Sequence, residues 1–215
     1  MNTKFKKIII WDIGGVISLA KNPKERNKKN ITNSINALWG KIKFINTDDK
    51  EIYLKFKEIY FKSSRGKINK QETIKKLSNI FKLNQKETKK HLTNIIEKNV
   101  VENKRLINLI LKLKKKKYKH GILSTQWNIT KDIVIPKKYN KIFNKQVISN
   151  IDKITKPDVK AYKLICKKMK TNLKNVIFID DNINNVKKAN ELGMIGIRYE
   201  NNNQLKKELK KNKII

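Results

Sequence analysis

The sequence predicts an α/β fold: a Rossmann-like parallel sheet with helices on both faces, interrupted by an inserted all-helical segment. Three observations predict it. Short, wholly apolar runs alternate with longer stretches of helical periodicity, and continuous apolar strands belong to parallel sheets buried on both faces. One block, 19–100, carries only helical spacing and so breaks the alternation. Several of the apolar runs end on an acidic or hydroxyl residue, at the rim where such sheets bind ligands.

The first strand covers 5–11, Phe-Lys-Lys-Ile-Ile-Ile-Trp, and is stopped by Asp12-Ile13-Gly14-Gly15. From 23 to 100 the spacing is helical throughout. Thr47-Asp48-Asp49 opens one helix, and Asn69 with Glu72 and Asn84 with Glu87 have the capping-box pattern. Ile52, Phe56, Ile59 and Tyr60, then Ile74, Leu77 and Phe81, mark the buried stripes. A helix over about 102–115 ends in the lysine run 114–117. Gly121-Ile122-Leu123 is a strand ending at Ser124, and Gln146-Val147-Ile148 is a short strand ending at Ser149. Pro157 suits the first turn of the next helix. Val176-Ile177-Phe178-Ile179 is a strand ending on Asp180-Asp181, followed by a helix over 183–192, Gly193 as its stop, and a last strand over 195–199. The predicted division is a core of 1–18 and 101–215 with a helical cap of 19–100.

Composition bounds the function. The 215 residues hold 53 Lys plus Arg against 18 Asp plus Glu, a net charge of +35, and 38% are apolar. Low apolar content with high charge is a signature of disorder, but the periodic apolar runs argue for a folded chain. The charge has two readings. A polyanion such as nucleic acid would be attracted; yet only Arg26, Arg65, Arg105 and Arg198 are arginines, and lysine, asparagine and isoleucine are abundant along the whole chain. All three have A/T-rich codons, so base bias yields the same composition without a partner. One cysteine, Cys166, excludes an internal disulfide framework and favours a reducing compartment. No run reaches the ~18 apolar residues of a membrane span. A cytoplasmic protein is expected.

What sits at the strand ends carries the chemistry. Asp12, Ser124, Lys156 and Asp180-Asp181 bring a carboxylate nucleophile, a hydroxyl, a cation and an acidic pair to one rim. That set suits phosphoryl transfer, where positioning and charge neutralisation do most of the catalysis. Blander roles exist for each. Ser124 suits a helix N-cap, Asp180-Asp181 suits an N-cap pair, and Lys156 is one lysine among dozens. Against the capping role, two adjacent carboxylates repel, and a hard divalent cation relieves that cost. Cys166 lies among Tyr162, Ile165 and Met169 as a core residue. His91 and His120 form no ligand pattern, Trp11 is a packing residue, and Tyr53, Phe56 and Tyr60 read as helix packing.

The segments Ile8–Ile17 (IIIWDIGGVI), Ile122–Ser124 with Thr125, Lys156-Pro157-Asp158 and Ile177–Asn185 (IFIDDNINN), in that order, resemble the four motifs of the haloacid dehalogenase-like hydrolase superfamily. Arg65-Gly66-Lys67-Ile68 followed by Glu72 is similar to a cap segment of the branch containing alpha-D-glucose-1-phosphate phosphatase and the epoxide hydrolase phosphatase domain. The resemblance implies Asp12 as nucleophile and Ser124, Thr125 and Lys156 as phosphate contacts. It implies a Mg²⁺ ion held by Asp12, the Gly14 carbonyl and the acidic pair, with Asp181 rather than Asp180 the direct ligand.

Two positions depart from the pattern. Most phosphatases of the superfamily have a second Asp two residues after the nucleophile as general acid and base, where this chain has Gly14, and such help is worth about 10²–10⁴-fold. The glucose-1-phosphate branch looks like Asp-x-Gly here, which suits good leaving groups such as anomeric phosphates. Thr125 stands where that branch has Asn. The expected activity is Mg²⁺-dependent hydrolysis of a small phosphorylated metabolite, a sugar phosphate among the candidates, through an aspartyl-phosphate. The alternative is a weakly active or non-catalytic protein of the same fold that binds a polyanion. A metal-free carbon–halogen hydrolase comes third, because it leaves the acidic pair unexplained.

Overall fold

The computed structural model describes residues 8–22, 38–42 and 49–215. The expectations for 5–7, for Thr47 and Asp48, and for helices within 23–37 and 43–48 lie outside the described residues.

Strand β1 is Ile8–Trp11 and a short β2 is Ser18–Ala20. Three helices follow: α1 Lys50–Ser64, α2 Lys70–Phe81 and α3 Gln85–Asn99. Their starts are set by side chains that accept orphan backbone N–H groups. Asp49 caps α1, Asn69 caps α2, and Asn84 with Glu87 completes a reciprocal capping box on α3. Strand β3 (Val100–Glu102) then pairs antiparallel with β2, so the chain leaves the sheet and returns at adjacent positions. This ribbon corrects the expectation of a helix from 102: Asn103 caps helix α4, Lys104–Lys115. Three-residue strands are too short to show a period.

The remaining elements are β4 His120–Ser124, a single turn α5 Lys131–Val134, β5 Lys145–Ile148, a single turn α6 Ser149–Asp152 and α7 Val159–Met169. Then come β6 Val176–Asp180, α8 Ile183–Glu191, β7 Ile195–Arg198 and α9 Asn202–Lys211. Helix α7 starts two residues later than expected: Asp158 is its N-cap, its carboxylate accepting from Lys160 N, so Pro157 precedes the helix rather than opening it.

The five-stranded sheet runs β5-β4-β1-β6-β7 with every pairing parallel. Side chains alternate across it, and both faces are buried. Ile9, Trp11, Ile122, Ile177 and Ile179 pack with Leu106, Ile110 and Leu209 on one side. Ile8, Ile10, Leu123, Val147 and Phe178 pack with Tyr162, Ile165, Cys166 and Met169 on the other. Two-sided burial is the reason the central strands β1 and β6 read as apolar runs. Trp11 is fully buried, and its indole N–H donates to His120 Nδ1 at 3.1 Å.

The helical insertion has its own core of Trp39, Ile42, Phe56, Ile59, Ile74, Leu77, Phe81 and Leu92, to which Trp127 and Ile129 contribute from beyond β4. Phe56 and Tyr60 meet the Trp127 ring at centroid distances of 6.1 and 5.5 Å. These aromatics join the insertion to the rim of the sheet.

Candidate active site

Because β1, β4 and β6 are neighbours and parallel, their carboxyl ends deliver Asp12, Ser124 and Asp180 to one place. Lys156 arrives on the loop between α6 and α7. Its ammonium lies 2.8 Å from Asp12 Oδ1 and 2.6 Å from Asp180 Oδ2. The Ser124 hydroxyl donates to Asp12 Oδ1 at 2.7 Å. One carboxylate oxygen of Asp12 therefore takes both a hydroxyl and an ammonium.

Asp180 is fully buried and held by four contacts. Its oxygens accept from Lys156, from Asn182 N at 2.8 Å, and from Asn185 Nδ2 at 3.1 Å to each oxygen. Asn185 is set in turn by Tyr162, whose hydroxyl donates to its carbonyl at 3.0 Å. The helix N-cap is Asn182, accepting from Asn184 N, so Asp180-Asp181 is not a capping pair; nor does any helix begin at Ser124 among the described residues. Asp181 joins Asp12 and Asp180 in a carboxylate group whose ligand oxygens lie within 4.8 Å of one another.

Burial dominates the electrostatics. It pushes Asp12 up to about 6, with Lys156 pulling the other way and Asp180 adding to the rise. Asp181 is pushed up to about 7 by burial, then by its neighbours Asp12 and Asp180. Burial also opposes the charge on Lys156, but the two carboxylates outweigh it and its ammonium is held above the ordinary lysine range. Three carboxylates against one ammonium leave an excess of negative charge, the environment a hard divalent cation relieves. The oxygen-only donor set suits Mg²⁺. Asp12, Asp180 and Asp181 each offer an oxygen to such an ion, and those of Asp180 are also engaged by Lys156 and Asn185.

The backbone after Asp12 is shaped around this group. Gly15 has φ +76°, and a Cβ there would fall 2.3 Å from Asp181 Oδ2. Gly14 is buried beside it and bridged to Ser18. Thr125 is half-buried one residue beyond β4, and among the described residues no hydrogen bond links it to the other site residues.

The roles of three residues of the site are not read from the sequence. Gln126 donates from Nε2 to Ser124 Oγ at 2.9 Å, Ser149 accepts from Gln126 N at 2.9 Å, and Asn185 clamps Asp180. Asn185 closes the DDNINN segment, five residues after Asp180, and Ser149 stands at a strand end, but neither cue gives the contact; Gln126 has no pattern.

Residues 6–193 match the family model of the haloacid dehalogenase-like hydrolases. Among solved structures, the chain resembles a HAD family enzyme, bt-2542, from Bacteroides thetaiotaomicron at 22% identity and a TM-score of 0.72, covering 90% of this chain and 93% of that one. The same enzyme in complex with magnesium and inorganic phosphate matches at a TM-score of 0.70. A HAD-like family hydrolase from Porphyromonas gingivalis matches at 18% identity and a TM-score of 0.75, over 96% of this chain and 97% of that one. No curated protein matches the sequence significantly. Among the described residues no helix is long and apolar enough to cross a membrane.

Proposed function

The chain belongs to the haloacid dehalogenase-like hydrolase family, and on that premise we propose that it is a Mg²⁺-dependent phosphatase of a small phosphorylated metabolite. The observation that supports this most directly is the meeting of Asp12, Ser124 and Lys156 on a single carboxylate oxygen beside a second, unshared carboxylate, Asp181.

Asp12 is the nucleophile. Its free oxygen attacks phosphorus in line, the bond from phosphorus to the leaving oxygen breaks, and an aspartyl-phosphate forms. Water then attacks that phosphorus, releasing inorganic phosphate and restoring the carboxylate. The Lys156 ammonium and the Ser124 hydroxyl transfer their contacts from Asp12 to the equatorial phosphate oxygens, where negative charge is greatest. Asp12, Asp181 and the Gly14 carbonyl would hold Mg²⁺, which screens the carboxylate from the phosphate it attacks. Asp180 keeps Lys156 charged and aimed.

Gly14 cannot give a proton to the departing oxygen. Substrates whose leaving group needs little protonation are therefore favoured, an anomeric sugar phosphate above all. Carbon–halogen hydrolysis gives the acidic pair no task. The test is turnover of a panel of sugar, nucleotide and aryl phosphates with and without Mg²⁺. Metal-dependent release of phosphate is expected, strongest for anomeric phosphates; no release from any member contradicts the reading.

A further inference from the structure

A line of hydrogen bonds crosses the seam between the helical insertion and the sheet and ends on Asp12. It starts at the Ser64 carbonyl, at the C-terminal end of α1, where the last carbonyls of a helix lack intrahelical partners. The Ser149 hydroxyl, 1% exposed, donates to that carbonyl at 2.6 Å. The same oxygen accepts the Gln126 backbone N–H at 2.9 Å. Gln126 then donates from Nε2 to Ser124 Oγ at 2.9 Å, and Ser124 donates to Asp12 Oδ1 at 2.7 Å.

Each hydroxyl has one proton to give. A carbonyl can only accept, so Ser149 gives its proton to Ser64 at 2.6 Å in preference to the Gln126 carbonyl at 3.5 Å, and offers a lone pair to the Gln126 N–H. The Gln126 amide in turn occupies a lone pair of Ser124, which leaves the Ser124 proton directed at Asp12. The line diverges at Gln126, whose backbone N–H donates towards the insertion and whose side-chain amide donates towards the nucleophile, so this one residue ties the two ends together. The seam is close-packed at its start: Gly66 has φ +66°, and a Cβ there would meet Asn150 O at 2.6 Å.

We propose that Ser149 and Gln126 are positioning residues that couple the seating of the helical insertion to the orientation of Ser124 at the nucleophile. When the insertion lifts, Ser149 loses Ser64, the Gln126 loop loosens, and the Ser124 hydroxyl is free to rotate away from Asp12. The effect on chemistry rests on the phosphatase reading; the mechanical coupling does not.

The test uses full-length protein and two readouts, amide hydrogen exchange and p-nitrophenyl phosphate kinetics with Mg²⁺. Ser149→Ala is expected to speed exchange at the Gln126 amide and at amides 65–68 together, leaving β6 unchanged. It is expected to lower kcat about tenfold or more with KM little moved, and Ser149→Thr to restore both. Gln126→Met is expected to lower kcat without touching exchange at 65–68. Should Ser149→Ala not fold, Gly66→Ala loosens the same seam and is scored the same way. Faster exchange confined to one side of the seam overturns the coupling. So does an unchanged kcat in both Ser149→Ala and Gln126→Met. A wild type without turnover contradicts the phosphatase reading instead, and exchange across the seam still decides the coupling.

Discussion

The ammonium of Lys156 lies 2.8 Å from Asp12 Oδ1, with both side chains only 3% exposed. It is also 2.6 Å from Asp180 Oδ2, so two buried carboxylates share one cation. Removing it leaves like charges facing each other in a poorly solvated site. Lys156→Met is therefore expected to destabilise the protein by about 3–5 kcal/mol, measured by urea unfolding. Adding Asp180→Asn to that variant should recover part of the loss, because the repulsion is relieved. Strictly additive losses would show that the three groups do not interact.

Gly15 and Gly193 both have positive φ but different surroundings. A Cβ at Gly15 would sit 2.3 Å from Asp181 Oδ2, whereas one at Gly193 meets nothing within 4 Å. Both alanine variants carry the backbone cost of the left-handed region, about 1–2 kcal/mol. Only Gly15→Ala should also displace Asp181 and shift a Mg²⁺ titration to higher concentration. Equal titrations for the two variants would remove Gly15 from the site.

What is legible in the sequence depends on the kind of signal. The central strands were legible because burial on both faces makes them apolar runs, as in Ile8–Trp11 and Val176–Phe178, and the edge strands through shorter apolar stretches beside turn signals. Asp12, Ser124, Asp180 and Asp181 were legible because reactive side chains end such runs. The β2–β3 ribbon was not, since three residues show no alternation. Pro157 suits a first helical turn in the sequence, but Asp158 is the N-cap and moves the helix start past it. The role of Ser149 is not legible at its strand end because its partners, Ser64 and Gln126, are distant in the chain, and Gln126 carries no pattern of its own although it bonds Ser124 two residues before it. Asp180 belongs to the carboxylate group the sequence points to, and its contacts with Lys156, Asn182 and Asn185 come from residues the acidic pair alone does not reveal.

The acidic pair is expected to divide its labour. Asp181→Asn removes an oxygen donor open to the metal and should raise the Mg²⁺ concentration for half-maximal turnover about tenfold or more. Asp180→Asn should instead act through Lys156, lowering turnover at saturating Mg²⁺ with a smaller shift in the metal titration. The reverse pattern would exchange their roles.

His120 supplies a pH test away from the reactive rim. Burial lowers its imidazole from the ordinary 6.5 to about 4, helped by Lys114, while Nδ1 accepts from the Trp11 indole. The folded value lies below the unfolded one, so the unfolded chain binds more protons in the window between them. Stability from this group is complete above about 6.5 and is lost as pH falls towards 4. The full loss is about 3 kcal/mol. Asp12 and Asp181, whose values are raised, act in the opposite sense over part of that range. The comparison is therefore between wild type and His120→Asn, in urea unfolding at pH 7 and pH 4.5. Wild type should lose more stability than the variant; parallel losses would show that the imidazole is not protonated only on unfolding.

The most direct test is to trap the covalent intermediate. Wild-type protein turning over a radiolabelled anomeric sugar phosphate with Mg²⁺ is quenched in acid, digested, and the labelled peptide identified by mass spectrometry. The account predicts an acid-stable, hydroxylamine-sensitive phosphate on Asp12, and neither label nor turnover in Asp12→Asn. Turnover that survives Asp12→Asn, or a label on any other residue, would contradict it.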